Sequence, residues 1–305
     1  MTNQPKIVTV VVTMDREADL AMCLRSLAAS DYANHEALVC EPPGHMTALP
    51  PDLGALGVTR VTLSGNNGYA GNNNEGIRAA LRRDAAWVLV LNDDTWLAAD
   101  ALAQLIGEGE SQPDIGMVGP LIYHADRPNV IQSAGGELGR RWRARHIGFD
   151  EAEAGQYREA RDVEWLSGSA LLARRALIEQ AGAFDDRLFI YWEETDWCLR
   201  ARARGWRLRH VPGARAWHRG GQTLHDERPG MLYLMTRNRL MILAKHRAPL
   251  AAWATAWAET GRTLAAWSLR PRWRHKRPLR NAMWQGVWDF WRGRTGPPPR
   301  LTTLG

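Results

Sequence analysis

Residues 88–97 read VLVLNDDTWL, an apolar run that breaks off in Asn92, Asp93 and Asp94. With Ala86 and Trp87 ahead of it, the run predicts a strand over 86–91 buried on both faces. An unpaired carboxylate inside that layer would be strongly destabilising, so Asp93 and Asp94 must emerge at the strand's C-terminal edge. Ligands of open α/β sheets bind at that edge.

The flanking sequence repeats the pattern. KIVTVVVT (6–13), HEALVCE (35–41) and GVTRVTLS (57–64) read as strands, READLAMCLRSLAAS (16–30) and NNNEGIRAALRRDA (72–85) as helices. In the first helix Leu20, Cys23, Leu24 and Leu27 fall on one face. Alternation of this kind implies an α/β fold whose sheet is mainly parallel with helices on its faces. After ADALAQLIGEG (99–109) the pattern changes to short apolar stretches between Gly-rich turns over 116–172, which predict mixed or antiparallel strands. Helices are expected from about 174 to a stop at Gly182, and from near Glu194 to a stop at Gly205. Strands follow at 206–211 and 215–218. From about 228 the reading is helical, with breaks at Pro249 and Pro271 and a last helix near 280–291. This divides the chain into a catalytic domain over 1–227, a basic Trp-rich helical extension over 228–294 and a flexible tail over 295–305.

Composition sets the outer bounds. The chain of 305 residues is 45% hydrophobic and 24% charged, enough for a large core and unlike a disordered chain. Cys23, Cys40 and Cys198 form neither a disulfide framework nor a zinc spacing, and are expected to be reduced in a cytoplasmic protein. No signal-peptide pattern opens the sequence and no run of eighteen apolar residues is present, so no membrane crossing is expected. The net charge of +6 hides an asymmetry: residues 1–200 hold 18 Lys and Arg against 29 Asp and Glu, residues 201–305 hold 21 against 4. The basic part also carries Trp253, Trp257, Trp267, Trp273, Trp284, Trp288 and Trp291. Trp284, Trp288 and Trp291 share a helical face, which suits docking on the catalytic domain, docking across a homodimer, or an anionic membrane surface on the inner face of the cell membrane. No nucleic-acid-binding module accompanies the charge.

Four stretches can carry chemistry. NDDT (92–95) offers hard oxygen ligands for Mg²⁺ or Mn²⁺, or merely a helix cap. LFIYWEETDWCLR (188–200) puts Glu193, Glu194 and Asp196 beside Tyr191 and Trp192 at a helix start, as a general base over an aromatic floor or as an acidic first turn. SGNNGYAGNNNEGI (64–77) is a Gly- and Asn-rich turn suited to a diphosphate, though neither the dinucleotide fingerprint nor a P-loop. AWHRGG (216–221) presents His218 after a short strand, as a structural histidine or a metal ligand.

In this order, VTVVVTMDREADLAMCLRSL, NNGYAGNNNEGI, LVLNDDT and GSALLARRALIEQAGAFDDRLFIYWEETDWCLRARARGWRLRHVPGARAWHRGG resemble the family 2 glycosyltransferases, particularly rhamnosyltransferase-like bacterial members with a GT-A fold. The resemblance covers about residues 6–245, reaching weakly into YLMTRNRLMIL. It implies a Rossmann-like mixed sheet flanked by helices, a nucleotide-diphosphate sugar donor, Mg²⁺ or Mn²⁺, a hydroxyl acceptor on a glycan or lipid-linked glycan, and inversion at the anomeric carbon. It places Thr13, Asp15, Arg16, Glu41, Asn66, Gly68, Asn74, Asn92 and Asp93 around the donor, and Asp94 and His218 on the metal. Glu194 becomes the base, with Glu193 and Asp196 as alternatives, and Trp192, Glu193, Asp196 and Gly168 lie on the substrate. Glu194 stands where the family usually has Asp, Asn92 removes one carboxylate from the metal motif, and CEPPGH (40–45) lacks the usual Asp-Asn-x-Ser-x-Asp run. Competing readings are a nucleotidyltransferase, whose Gly-rich basic signature TMDREADL (13–20) lacks, and a membrane-associated scaffold without activity.

Overall fold

The computed structural model describes residues 4–14, 16–220 and 229–299. The expected 227/228 boundary and the tail from residue 300 lie outside the described residues. The first half alternates β1 (Ile7–Val12), α1 (Glu17–Ala28), β2 (His35–Glu41), β3 (Gly57–Thr62), α2 (Gly68–Leu81) and β4 (Trp87–Asn92). Then come β5 (Thr95–Leu97), α3 (Ala101–Ser111), β6 (Ile115–His124) and β7 (Ile131–Ser133). The short strands β8 (Gly136–Glu137), β9 (Arg145–His146) and β10 (Arg161–Asp162) precede β11 (Ala170–Arg174), α4 (Arg175–Ala181), α5 (Glu193–Arg202) and β12 (Arg207–His218). Three helices close the chain: α6 (Pro229–Lys245), α7 (Leu250–Leu269) and α8 (Arg277–Trp291).

The main sheet runs β10-β12-β6-β11-β4-β1-β2-β3, with β5 paired to β12 and β7 to β6. Strands β3, β2, β1 and β4 are parallel, and β11 is antiparallel to β4 and β6. The apolar strands sit at the centre because both of their faces are covered. Val8, Val10, Val88 and Val90 enter one core with α2, α4 and α5, while Ile7, Val11, Leu89 and Leu91 enter the other with α1 and α3. At roughly 1.5–3 kcal/mol per fully buried side chain, these alternating residues dominate the sheet's stability.

This packing sets the functional edge. Val12 pairs with Cys40 and with Asn92, so β1, β2 and β4 end level and Thr13, Glu41 and Asp93 follow on one side. The two strands expected at 206–211 and 215–218 are one strand, β12, with a register shift between Val211 and Arg215. Sequence periodicity also gives no sign of β5, whose three residues pair Thr95 with His218, Trp96 with Trp217 and Leu97 with Ala216. Gly182 (φ +72°) and Gly205 (φ +87°) adopt the left-handed backbone that ends a helix.

Helices α6, α7 and α8 pack on one another through Leu240, Leu243, Ala252, Ala256 and Val287. Gly286 lets α8 approach α6, since a Cβ there would lie 2.7 Å from the carbonyl oxygen of Tyr233. Residues 295–299 begin the expected flexible tail, yet Gly296 N donates to Arg187 O at 2.8 Å and Gly296 O accepts from Arg237 at 2.8 Å.

Candidate active site

The β5–β12 register brings Asp94, just ahead of β5, against His218 at the end of β12. Arg219 N donates to Asp94 O at 3.0 Å, and Asp94 Oδ1 faces His218 Nε2 at 3.1 Å. The Arg16 guanidinium bridges the acidic pair, 3.0 Å from Asp94 Oδ2 and 3.3 Å from Asp93 Oδ1, while Thr13 Oγ1 donates to Asp93 Oδ2 at 2.8 Å. Burial is the largest influence on both carboxylates. At Asp93 it prevails over Thr13 and Arg16 and raises the pKa; at Asp94 the imidazolium form of His218, together with Arg16, overcomes it and holds the pKa down at about 2.

Gln132 fixes the chemistry of His218. Its Nε2 lies 3.5 Å from the carbonyl oxygen of His218, which turns Oε1 toward His218 Nδ1 at 2.7 Å. Nδ1 therefore carries the donated hydrogen, and in the neutral ring Nε2 is a lone pair that accepts from Asn92 Nδ2 at 3.3 Å. That lone pair faces Asp94 Oδ1, a buried oxygen without an aligned hydrogen bond. Two electron-rich atoms in such contact call for a proton or a cation between them, and imidazole plus carboxylate suits a divalent ion such as Mn²⁺. Among the described residues no cluster of three or more potential His, Cys, Asp or Glu ligands exists, so such an ion would keep positions open for phosphate oxygens and water.

A second acidic pair lies at the N-terminus of α5. Glu193 is 5% exposed with Oε2 unpartnered, and Glu194 is partly buried with Oε1 accepting from Thr195 Oγ1 at 3.3 Å. Burial pushes the pair upward, Glu193 furthest because the charge of Glu194 adds to it. Of the two, Glu193 therefore holds a proton more readily than Glu194.

The two acidic pairs meet at the turn before β11. Asn92 N donates to Ser169 O at 3.0 Å, tying the turn to the end of β4. A Cβ on neighbouring Gly168 would lie 3.6 Å from Glu194 Cβ, and Tyr69 Oη donates to Gly168 O at 2.6 Å. Tyr69 senses both pairs: burial first, then the charges of Glu193, Glu194, Asp94 and Asp93, push its pKa well up.

The approach to α5 is strained. Phe189, Tyr191 and Trp192 have φ of +67°, +72° and +74°, a left-handed backbone disfavoured for residues with a Cβ. The fully buried amide of Asn238, on α6, holds this loop by donating to the carbonyls of Leu188, Ile190 and Tyr191 at 2.9 Å each. Buried Arg237 orients Asn238 by donating to its Oδ1 at 2.9 and 3.0 Å. Sequence reasoning missed Tyr69, Gln132, Arg237 and Asn238.

Other expected residues are occupied elsewhere. Glu41 pairs with Arg60 and accepts from Thr47 N at 2.7 Å, bracing the loop after β2. Asn74 donates to Phe184 O and accepts from Phe184 N, each at 2.9 Å. Asp196 is fully buried, with Arg200, Lys245 and His246 each at 2.8 Å; burial alone would raise its pKa, but these contacts hold it down. It anchors α6 to α5 and has no capacity left for a substrate. Asn66 Oδ1 accepts from Gly68 N at 3.1 Å, and Asn66 and Asn74 open onto a groove of about 540 Å³ lined by none of Thr13, Asp93, Asp94 or His218. Gly68 (φ +72°) admits the loop before α5, since a Cβ there would lie 2.4 Å from Phe189 O. Asp15 lies outside the described residues.

Comparison with known proteins agrees with this architecture. The family described as Glycosyltransferase like family 2 matches residues 5–240. An N-acetylglucosaminyl-diphospho-decaprenol L-rhamnosyltransferase of Mycobacterium tuberculosis is 32% identical over 142 residues, 43% of this chain and 46% of that protein. The low-salt glycan biosynthesis hexosyltransferase Agl10 of Haloferax volcanii is 31% identical over 143 residues, 47% of this chain and 45% of that protein. The matches thus span a little under half of each relative. Among solved structures, mannosyltransferase PcManGT from Pyrobaculum calidifontis, in complex with GDP-Man and Mn²⁺, superimposes with a TM-score of 0.57 at 15% identity, covering 95% of this chain and 88% of that one. S. aureus TarS in complex with UDP-GlcNAc gives 0.58 at 18% identity, covering 93% and 80%. The fold is GT-A.

Replacing Gln132 with Leu removes the group that orients His218. Titration of Mn²⁺ followed by electron paramagnetic resonance is expected to show affinity lower by about 10–100-fold; equal affinity would detach Gln132 from cation binding.

Proposed function

This chain belongs to glycosyltransferase-like family 2, and we propose that it is an inverting transferase moving a sugar from a nucleotide-diphosphate donor to a hydroxyl of a glycan or lipid-linked glycan, in the assembly of a surface polysaccharide or glycolipid. The observation that carries the proposal is the meeting of Asp94–His218 and Glu193–Glu194 across Gly168 and Tyr69. The nucleotide sugars, and in one case Mn²⁺, held by the solved relatives support the donor class, and the mycobacterial relative's name supports a lipid-linked acceptor.

In this reading Thr13, Arg16, Asn92 and Asp93 line the donor end of the cleft. Asp94 and His218 would hold Mg²⁺ or Mn²⁺, which when bound offsets the charge developing on the leaving diphosphate. Arg16 adds a fixed positive charge at the same edge. Glu194, as the carboxylate, takes the proton of the acceptor hydroxyl as that oxygen attacks the anomeric carbon opposite the leaving group. Attack from the face opposite departure inverts the configuration.

The helical extension supplies the membrane contact. Among the described residues no helix is long and apolar enough to cross a bilayer. Helix α8 docks on α6 through Ala282, Gly286 and Val287, yet Trp284, Trp288 and Trp291 remain 54%, 53% and 68% exposed. Arg292 covers the Trp288 ring at 4.6 Å, and Arg272, Arg274, His275 and Lys276 precede the helix with no acid among them. Exposed Trp beside this run of basic residues suits an anionic phospholipid surface at the inner face of the membrane.

Two outcomes test this reading. Glu194→Gln should lower kcat for transfer about 10²–10⁴-fold while donor affinity holds, and the wild-type rate should fall with decreasing pH through a pKa above the ordinary glutamate value. Wild-type turnover in the variant would refute Glu194 as the base. In flotation with anionic liposomes, wild type should rise with the lipid and a Trp284, Trp288, Trp291→Ala triple variant should stay below; equal flotation would remove α8 as the membrane face.

A further inference from the structure

Beside the α5 loop lies a cavity of about 300 Å³ between Trp192 and the helical extension. Its polar wall is built around Glu259 of α7, whose two carboxylate oxygens are each taken by a guanidinium: Oε2 by Arg239 at 2.8 Å, Oε1 by Arg143. Among the described residues four buried donor atoms of the lining have no partner: Nε of Arg143, Nε and Nη2 of Arg239, and Nε1 of Trp192. No lining residue contributes a buried acceptor without a partner. Met235, Leu240 and Met283 form the apolar remainder.

Unpaired buried donors are costly and call for a partner. A sugar hydroxyl both donates and accepts, whereas the unpaired buried atoms of this wall are all donors. An oxyanion only accepts, and two guanidiniums about one carboxylate leave a net positive charge. Trp192 also stands immediately ahead of Glu193 and Glu194 in the chain, which puts the cavity next to the acidic pair.

We propose that this cavity binds a phosphate group of the acceptor, with Arg239, Arg143 and the Trp192 indole as its donors and the methionines flanking the apolar group esterified to it. The proposal rests on the glycosyltransferase reading for the word acceptor, whereas binding of the phosphate can be measured without it.

The full chain, labelled with ¹⁵N at tryptophan and kept in EDTA so that no metal recruits phosphate elsewhere, is titrated with inorganic phosphate, with octyl phosphate and with sodium chloride at matched ionic strength. Trp192→Phe identifies the indole resonance. Saturable movement of that resonance is expected with both phosphates, tighter for octyl phosphate, and at least about tenfold weaker in Arg239→Gln and in Arg143→Gln. A shift reproduced by chloride, or unchanged in both variants, would overturn the site; equal affinity for the two phosphates would overturn its link to an esterified acceptor. Melting curves identify a variant that has lost its fold, in which case the other carries the test. Metal-dependent hydrolysis of nucleotide sugar by wild type is followed in parallel: its absence with the indole shift intact would count against the transferase reading alone.

Discussion

A carboxylate withdrawn from water needs a cation, a set of donors or a proton, and three of the buried acidic sites of this protein meet that constraint differently. Asp196 is surrounded by Arg200, Lys245 and His246 and becomes a structural anchor between α5 and α6. Asp94 is served by Arg16 on one oxygen and faces His218 on the other. Among the described residues Glu193 and Glu194 have no cationic partner, and burial pushes both upward, Glu193 further because the charge of Glu194 adds to it. Compensation declines from Asp196 through Asp94 to Glu193 and Glu194, which is the order of increasing chemical availability.

The helical extension and the catalytic cleft are one mechanical unit. Three left-handed residues before α5 would relax without restraint, and the restraint comes from Asn238 and Arg237 on α6. Asp196, one turn into α5, is tied in turn to the C-terminal end of α6. The acidic pair is thus held from before and behind by the same helix. Helix α8, whose other face exposes Trp284, Trp288 and Trp291, is packed against this α6.

The parallel strands could be read from the sequence because burial on both faces leaves an unbroken apolar run, as at Ile7–Val12 and Trp87–Asn92. The stops at Gly182 and Gly205 were equally visible, since few other residues tolerate the backbone found there. The contact between Asp94 and His218 was not. It depends on a three-residue strand too short to show a period and on a partner more than a hundred residues away. Gln132 lies in a stretch legible as short strands between Gly-rich turns, and its role follows from a carbonyl that fixes its amide. Asp196 looked like a substrate ligand beside the aromatics because Lys245 and His246 reach it from about fifty residues downstream. Phe189, Tyr191 and Trp192 gave no sign of their left-handed backbone, which tertiary hydrogen bonds rather than local preference impose.

A crystal of the full chain grown with Mn²⁺ and a nucleoside diphosphate tests the arrangement most directly. The account predicts an anomalous manganese peak touching Asp94 Oδ1 and His218 Nε2, with the carboxylate of Glu194 facing the terminal phosphate across a gap that one sugar ring fills. A peak on a different set of carboxylates, or Glu194 walled off from the phosphate by the turn at Gly168, would contradict it.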